Sequence, residues 1–101
     1  MENKPQDAVS IAPHLHKVVL ENEKVRILDV VVKPGDRAEM HTHPSNVSVV
    51  LKGGTLKFTL QDGSTKEVKL ENNFVGFSNP SQHIVDNESS EEVRVIQIEL
   101  K

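Results

Sequence analysis

Turn signals fall too close together in this chain to leave room for long helices. Pro34-Gly35-Asp36, Gly53-Gly54, Asp62-Gly63, Asn72-Asn73 and Ser78-Asn79-Pro80 divide it into short pieces. Pro presets φ, and Gly and Asn accept the left-handed conformations that tight turns require. The pieces between are rich in Val, Ile and Leu, and several alternate apolar with polar, as half-buried strands do. The reading gives about nine strands, over 17–20, 24–33, 37–43, 47–51, 55–60, 65–70, 74–77, 83–85 and 92–100. Their spacing, a turn every 8–12 residues or so, is that of a sandwich or barrel. Asp62-Gly63 is the strongest hairpin signal, joining 55–60 to 65–70. No segment has a convincing helical period. The expected fold class is all-β.

At 101 residues the chain is one domain. The expected division is a tail or edge segment over 1–15 and a barrel over 16–101. Hydrophobic residues make up 36% and charged residues 27%, with a net charge of −3. No Lys/Arg-rich patch is present, so neither nucleic acid nor an anionic membrane is an expected partner. No Trp or Tyr and only three Phe are available for base stacking. No apolar run is long enough to span a bilayer, and the N-terminus lacks a signal-peptide pattern. A cytoplasmic location is the expectation. With no cysteine, disulfides and thiolate ligands are excluded, and stability rests on packing, a metal or oligomerisation.

The five histidines are His14, His16, His41, His43 and His83. Side chains alternate along a strand, so His41 and His43 point the same way. Same-face neighbours lie about 7 Å apart along the backbone, close enough for two imidazoles to share an ion. The competing outcome is two surface histidines beside Pro44. His14 and His16 repeat the spacing near the N-terminus, where a surface or interface position is expected. Glu39, two residues before His41, would share its face and is a candidate fourth ligand; it could also bond an imidazole or stand in solvent. Arg26 and Arg94, on strands, could meet a substrate carboxylate, although ion pairs with Asp29, Glu91 or Glu92 are the commoner outcome. Gln82 should face the surface and Asn87 should form a turn. The expected inward lining is apolar: Val47, Val49, Leu51, Phe58 and Phe77.

Gly35-x5-His41-x-His43, followed by an apolar strand and Gly53-Gly54, resembles the first motif of the cupin family, and His83-x3-Asn87 resembles the second. The likeness covers roughly 18–100. It implies a small double-stranded β-helix, or jelly-roll barrel, with one divalent metal in its mouth, held by His41, His43 and His83. More narrowly, HKVVLENEKVRILDVVVKPGDRAEMHTHP, VVLKGGTLKFTLQDGS and HIVDNESSEEVRVIQIEL resemble small single-domain cupins associated with β-alanine degradation. The family's first motif carries a Glu where this chain has Val47 and Ser48. Asn72-Asn73 replaces its Gly-Asp turn, and Ser78-Asn79-Pro80 its Pro-x-Gly.

Without that Glu, three neutral imidazoles leave a bound ion its full charge. Imidazole suits Zn, Cu, Fe and Ni, so ligand type does not choose among them, and Mn is a further candidate. The higher charge favours small anionic ligands. The resemblance makes a dioxygenase-like enzyme acting on a small anionic metabolite one expectation. A non-catalytic module that binds a small ligand or metal is the other, and whether turnover occurs stays open. Exposed edge strands need covering, and the resemblance also implies a homodimer; the segment 11–20 is the expected element to cross to a partner.

Overall fold

The computed structural model describes residues 6–101. Nine antiparallel strands form two sheets: β1 (His16–Glu21), β2 (Val25–Val32), β3 (Arg37–His43), β4 (Asn46–Lys52), β5 (Gly54–Leu60), β6 (Thr65–Leu70), β7 (Val75–Ser78), β8 (Ser81–Asp86) and β9 (Val93–Leu100). One sheet runs β1-β2-β9-β4-β7 and the other β3-β8-β5-β6. All nine expected strands are present, with ends shifted by one or two residues. The turns form as their residues dictate: Gly35 and Gly63 have φ of 86° and 88°, and Asn73 takes φ 68°. Asp62 locks its hairpin by accepting from the Ser64 amide at 2.9 Å. Gly53 is required for a different reason, since a Cβ there would sit 2.0 Å from the Leu70 carbonyl oxygen.

The core lies between the sheets. Leu28, Val30 and Val32 of β2 and Val93 of β9 meet Ala38, Leu56 and Val85 of the facing sheet. Residues before β1 join this core. A four-residue helix, α1 (Ala8–Ile11), is capped by Asp7, whose carboxylate accepts from the Val9 amide. Ala8, Ala12 and Leu15 are buried, and the Thr42 amide donates to the Gln6 carbonyl. The described part of the expected tail is therefore packed and partly helical; residues 1–5 lie outside the described residues. Within the chain, β1 at the end of the segment 11–20 pairs with β2.

The expected apolar lining needs correction. Phe58 packs against the core as expected, but Val47, Val49, Leu51 and Phe77 lie on the outer face. Register fixes this: Asn46 stands opposite Glu99 and Ser48 opposite Gln97. Asn46 and Glu99 are buried, so they and the residues alternating with them face inward. A run such as Val47-Ser48-Val49-Val50-Leu51 has apolar residues at both parities, so alternation cannot choose a face. One end of this wall is polar inside, with Asn46, Ser48, Gln97 and Glu99, while Val50, Val93 and Val95 keep the other end apolar. No helix among the described residues is long and apolar enough to cross a membrane.

Candidate metal centre

Strand pairing brings the predicted ligands together. β3 and β8 pair with His41 directly opposite His83, and His43 lies two residues further along the same inward face. The ring centroids of His41 and His43 are 4.9 Å apart, and those of His83 lie 5.0 Å from His41 and 5.5 Å from His43. A fourth imidazole, His16, stands 5.2 Å from His41 and 5.5 Å from His43. One ring nitrogen from each of His16, His41 and His43 falls within a 4.8 Å set. His83 packs on the same two rings and on Phe58.

His16 corrects the surface assignment made from its sequence position; it is buried beside the core. The turn after α1 causes this. Both the backbone amide and Nδ1 of His16 donate to the Ala12 carbonyl, at 3.1 and 3.0 Å, which aims the ring into the barrel. His14 stays outside, with Nε2 3.1 Å from the Arg37 carbonyl. The H-x-H pair splits because these residues enter the strand through a turn, where strict alternation does not apply.

Glu39 also requires correction. Its side chain is 70% exposed and pairs with Arg37 at 3.0 Å, so its carboxylate does not approach the rings. A register irregularity between Ala38 and His41 is responsible. An extra residue in a strand reverses the alternation beyond it, so Ala38 and His41 both point inward although they are three apart. What Glu39 supplies is its backbone carbonyl, which accepts from His41 Nδ1 at 2.7 Å.

The carboxylate that does reach the cluster is Glu99, which is 2% exposed. It accepts from His43 Nδ1 at 2.9 Å and from Arg26 Nε at 2.8 Å. Arg26 continues the chain of contacts to Asp7 at 2.7 Å. Burial pushes the Glu99 carboxyl up, but hydrogen bonds from His43 and Arg26 outweigh it and hold the group below its ordinary value. Sequence reasoning missed Glu99, which alternates with Ile96, Ile98 and Leu100 on the opposite face of β9. The available signal was an acid alternating with those residues, in a strand able to pair with one carrying Arg26. The other expectations hold: Arg94 pairs with Asp29, Gln82 bonds Gln6 near the surface, and Asn87 organises a turn through Ser89 and Glu91.

These contacts set the tautomers. Two carbonyl oxygens and one carboxylate oxygen, none bearing a proton, face the Nδ1 atoms of His16, His41 and His43. Each Nδ1 therefore carries a hydrogen, which leaves Nε2 as the atom through which each ring can offer a lone pair. Burial, then the neighbouring rings, pushes His16 down to about 4 and His83 to about 3; burial likewise lowers His41. His41 Nε2 is buried without any hydrogen-bond partner, an arrangement that costs about 1–3 kcal/mol when nothing binds there. A neutral imidazole with a free Nε2 and its Nδ1–H engaged is the form that ligates a metal, so the residues fit a divalent ion. Beside the cluster lies an open cleft of about 660 Å³ walled by Asp7, Arg26, Thr42, His43 and Glu99.

No family model matches this chain, and no curated protein does. Solved structures do. The chain is similar to a cupin domain protein from Bordetella pertussis Tohama I, with TM-score 0.79 and 25% identity over 86% of this chain and 92% of that one. It is similar to an RmlC-like cupin family protein with a double-stranded β-helix fold from Methanocaldococcus jannaschii, with TM-score 0.66 and 16% identity over 85% and 78% of the two chains. A conserved protein with a double-stranded β-helix domain from Klebsiella pneumoniae gives TM-score 0.65 and 20% identity over 83% and 69%. Their descriptions name a fold and no reaction, and they give no support to a role in β-alanine degradation. The two antiparallel sheets and these neighbours together establish that the chain has the jelly-roll fold of the cupins.

Proposed function

We propose that this protein is a metal-binding cupin that holds one divalent transition-metal ion among His41, His43, His83 and His16. The observation that carries the reading is His41 Nε2: fully buried, without a partner among the described residues, and beside the rings of His16, His43 and His83. In the proposed set His16 stands in for the Glu that the first cupin motif would place near Ser48. Four imidazoles bring no charge, so the carboxylate contribution is indirect, through Glu99 bonded to His43.

Elemental analysis of the untagged protein tests this. About one equivalent of Fe, Ni, Zn, Mn or Cu is expected in the wild type and is expected to be lost in His41→Ala. A wild type that stays metal-free after reconstitution with each ion would sink the proposal.

For chemistry beyond binding, the neighbouring cleft supports a second reading. A bound ion would act as a Lewis acid toward a small anionic metabolite, with dioxygen chemistry if the ion is iron. The near-complete burial of His16, His41 and His43 supports instead a non-catalytic module, because catalytic sites keep an open coordination position. Oxygen uptake by the iron-loaded protein over a panel of keto acids and diketones separates the two. Uptake abolished by His43→Ala would make it an oxygenase, whereas a stably loaded protein with no uptake would make it a binding module.

A further inference from the structure

The four clustered imidazoles are held in different ways, and His16 is held least firmly. His41 and His83 face each other across the β3–β8 ladder, and His43 is bonded to the buried Glu99 carboxylate at 2.9 Å. His16 opens β1, the strand at the end of its sheet. It is the one buried residue of that strand; the other five are exposed. A strand that packs no side chain but one imidazole relies on its backbone ladder, and the ladder with β2 is irregular between Val18 and Leu20.

The anchor of the ring moves with the ring. His16 Nδ1 donates to the Ala12 carbonyl at 3.0 Å, which belongs to the same N-terminal segment. Within 6–15, Ala8 and Ala12 are buried but small, and Leu15 is the large buried side chain. At its start the segment is tied by Asp7 to Arg26 at 2.7 Å, and by the Gln6 carbonyl, which accepts from the Thr42 amide at 2.6 Å. At its end the Leu15 carbonyl accepts from the Val31 amide at 3.1 Å. Elements that bury little apolar surface are those that open locally. The open cleft runs along this seam, with Asp7 and Ser10 on the segment's side and Arg26, His43 and Glu99 on the barrel's side. With the segment docked, it is His43, of the four rings, that lines the cleft.

We propose that His16 is a displaceable ligand, and that the N-terminal segment is a strap across the metal centre which a small anion opens by taking the place of His16. The proposal rests on the metal-binding reading above. In the exchange the bond from His16 Nε2 to the ion breaks and a bond from the anion's donor atom forms. The imidazole leaves neutral, with Nδ1 still bonded to Ala12, so no proton or electron is transferred. Charge drives the exchange. Four neutral imidazoles leave a divalent ion its full charge in a buried place, where uncompensated charge is costly. An anion lowers that charge, whereas a neutral ligand does not. The site is closed at rest, and the open position that turnover needs is made by the arriving ligand.

Titration of the cobalt(II)-loaded full chain with azide tests the proposal, because the visible spectrum of cobalt(II) reports its ligand set. A saturable spectral change is expected. In cobalt-loaded His16→Ala, where no ligand has to be displaced, the half-saturating azide concentration should fall by about tenfold or more. Hydrogen exchange gives the second readout. The amides of Ala12, Leu15 and His16 are each bonded within the segment. At saturating azide and constant cobalt content they should exchange about tenfold or more faster than without azide, while those of β9 keep their rate. If His16→Ala does not fold, Asp7→Asn takes its place. Asn keeps an acceptor for the Val9 amide but loses the charge that holds Arg26, so azide should bind more tightly with circular dichroism unchanged. Azide binding that ignores the folded variant, or a segment that exchanges no faster at saturation, would overturn the proposal. A chain that takes up no cobalt would overturn the metal-binding reading too, whereas a loaded chain without these responses overturns this inference alone.

Discussion

Glu99 shows how one side chain ties the cluster to the rest of the barrel. It is buried, ionised by its contacts with His43 and Arg26, and holds the His43 ring with Nδ1 protonated. A carboxylate in that position raises the basicity of the imidazole, and losing such a partner commonly weakens metal affinity 10–100-fold. Glu99→Gln keeps the shape and an acceptor for His43 but removes the charge. Metal affinity measured by competition with a chromophoric chelator should therefore fall by about 10-fold or more, with circular dichroism unchanged; unchanged affinity would show that Glu99 serves Arg26 alone. At this scale the sequence was only partly legible. His41, His43 and His83 could be read because two motifs fix their strands and parity. His16 could not, since its aim depends on the Ala12 carbonyl, and the Glu39 carboxylate was misplaced by an irregularity that leaves no composition signal.

Elements were the most legible level, because turns are written in residues whose backbone needs are local. Pro34-Gly35, Asp62-Gly63 and Asn72-Asn73 each stop a strand where the sequence placed a stop. Which face of a strand points inward was harder. β4 and β9 carry apolar residues at both parities, so the choice was settled by pairing between Asn46 and Glu99 rather than by either strand alone. Gly53 carries the sharpest element-level prediction. It is tight not because of φ but because the Leu70 carbonyl leaves no space for a Cβ. Gly53→Ala must push β6 and its following turn away from the start of β5. Urea denaturation should show a loss of about 1–3 kcal/mol, the usual cost of overpacking, while Gly63→Asn, at a hairpin φ that Asn tolerates, should cost less. Equal losses at the two positions would count against this account.

For the whole molecule, the buried imidazoles make stability depend on pH when no metal is bound. The folded state lowers His16 to about 4 and His83 to about 3, from 6.5. The unfolded chain therefore binds more protons between those values, and stability falls as pH drops. The contribution is fully present above about pH 6.5 and is lost progressively down to about pH 3–4. Chelator-treated protein should lose on the order of a few kcal/mol across this window. Above pH 7 its denaturation midpoint should be flat with respect to these groups. A midpoint independent of pH between 7 and 4 would mean the rings are solvated in solution. Metal-loaded protein should start from a higher midpoint, because an ion that binds only the folded chain stabilises it by mass action.

The four imidazoles also have a topological consequence. They enter the cluster from β1, β3 and β8, and the chain contains no cysteine. An ion held by His16 and His83 would act as a staple, closing a loop over most of the sequence. Such a link restricts the unfolded chain in the way a long-range disulfide does, but it forms and breaks with metal supply rather than with redox potential. Release of the ion would then require His16 to withdraw, which means parting the Ala12 turn and α1 from the core. Exchange of metal should accordingly follow the opening rate of the N-terminal segment and not the ligand-exchange rate of the free ion, giving the site a lifetime set by folding kinetics.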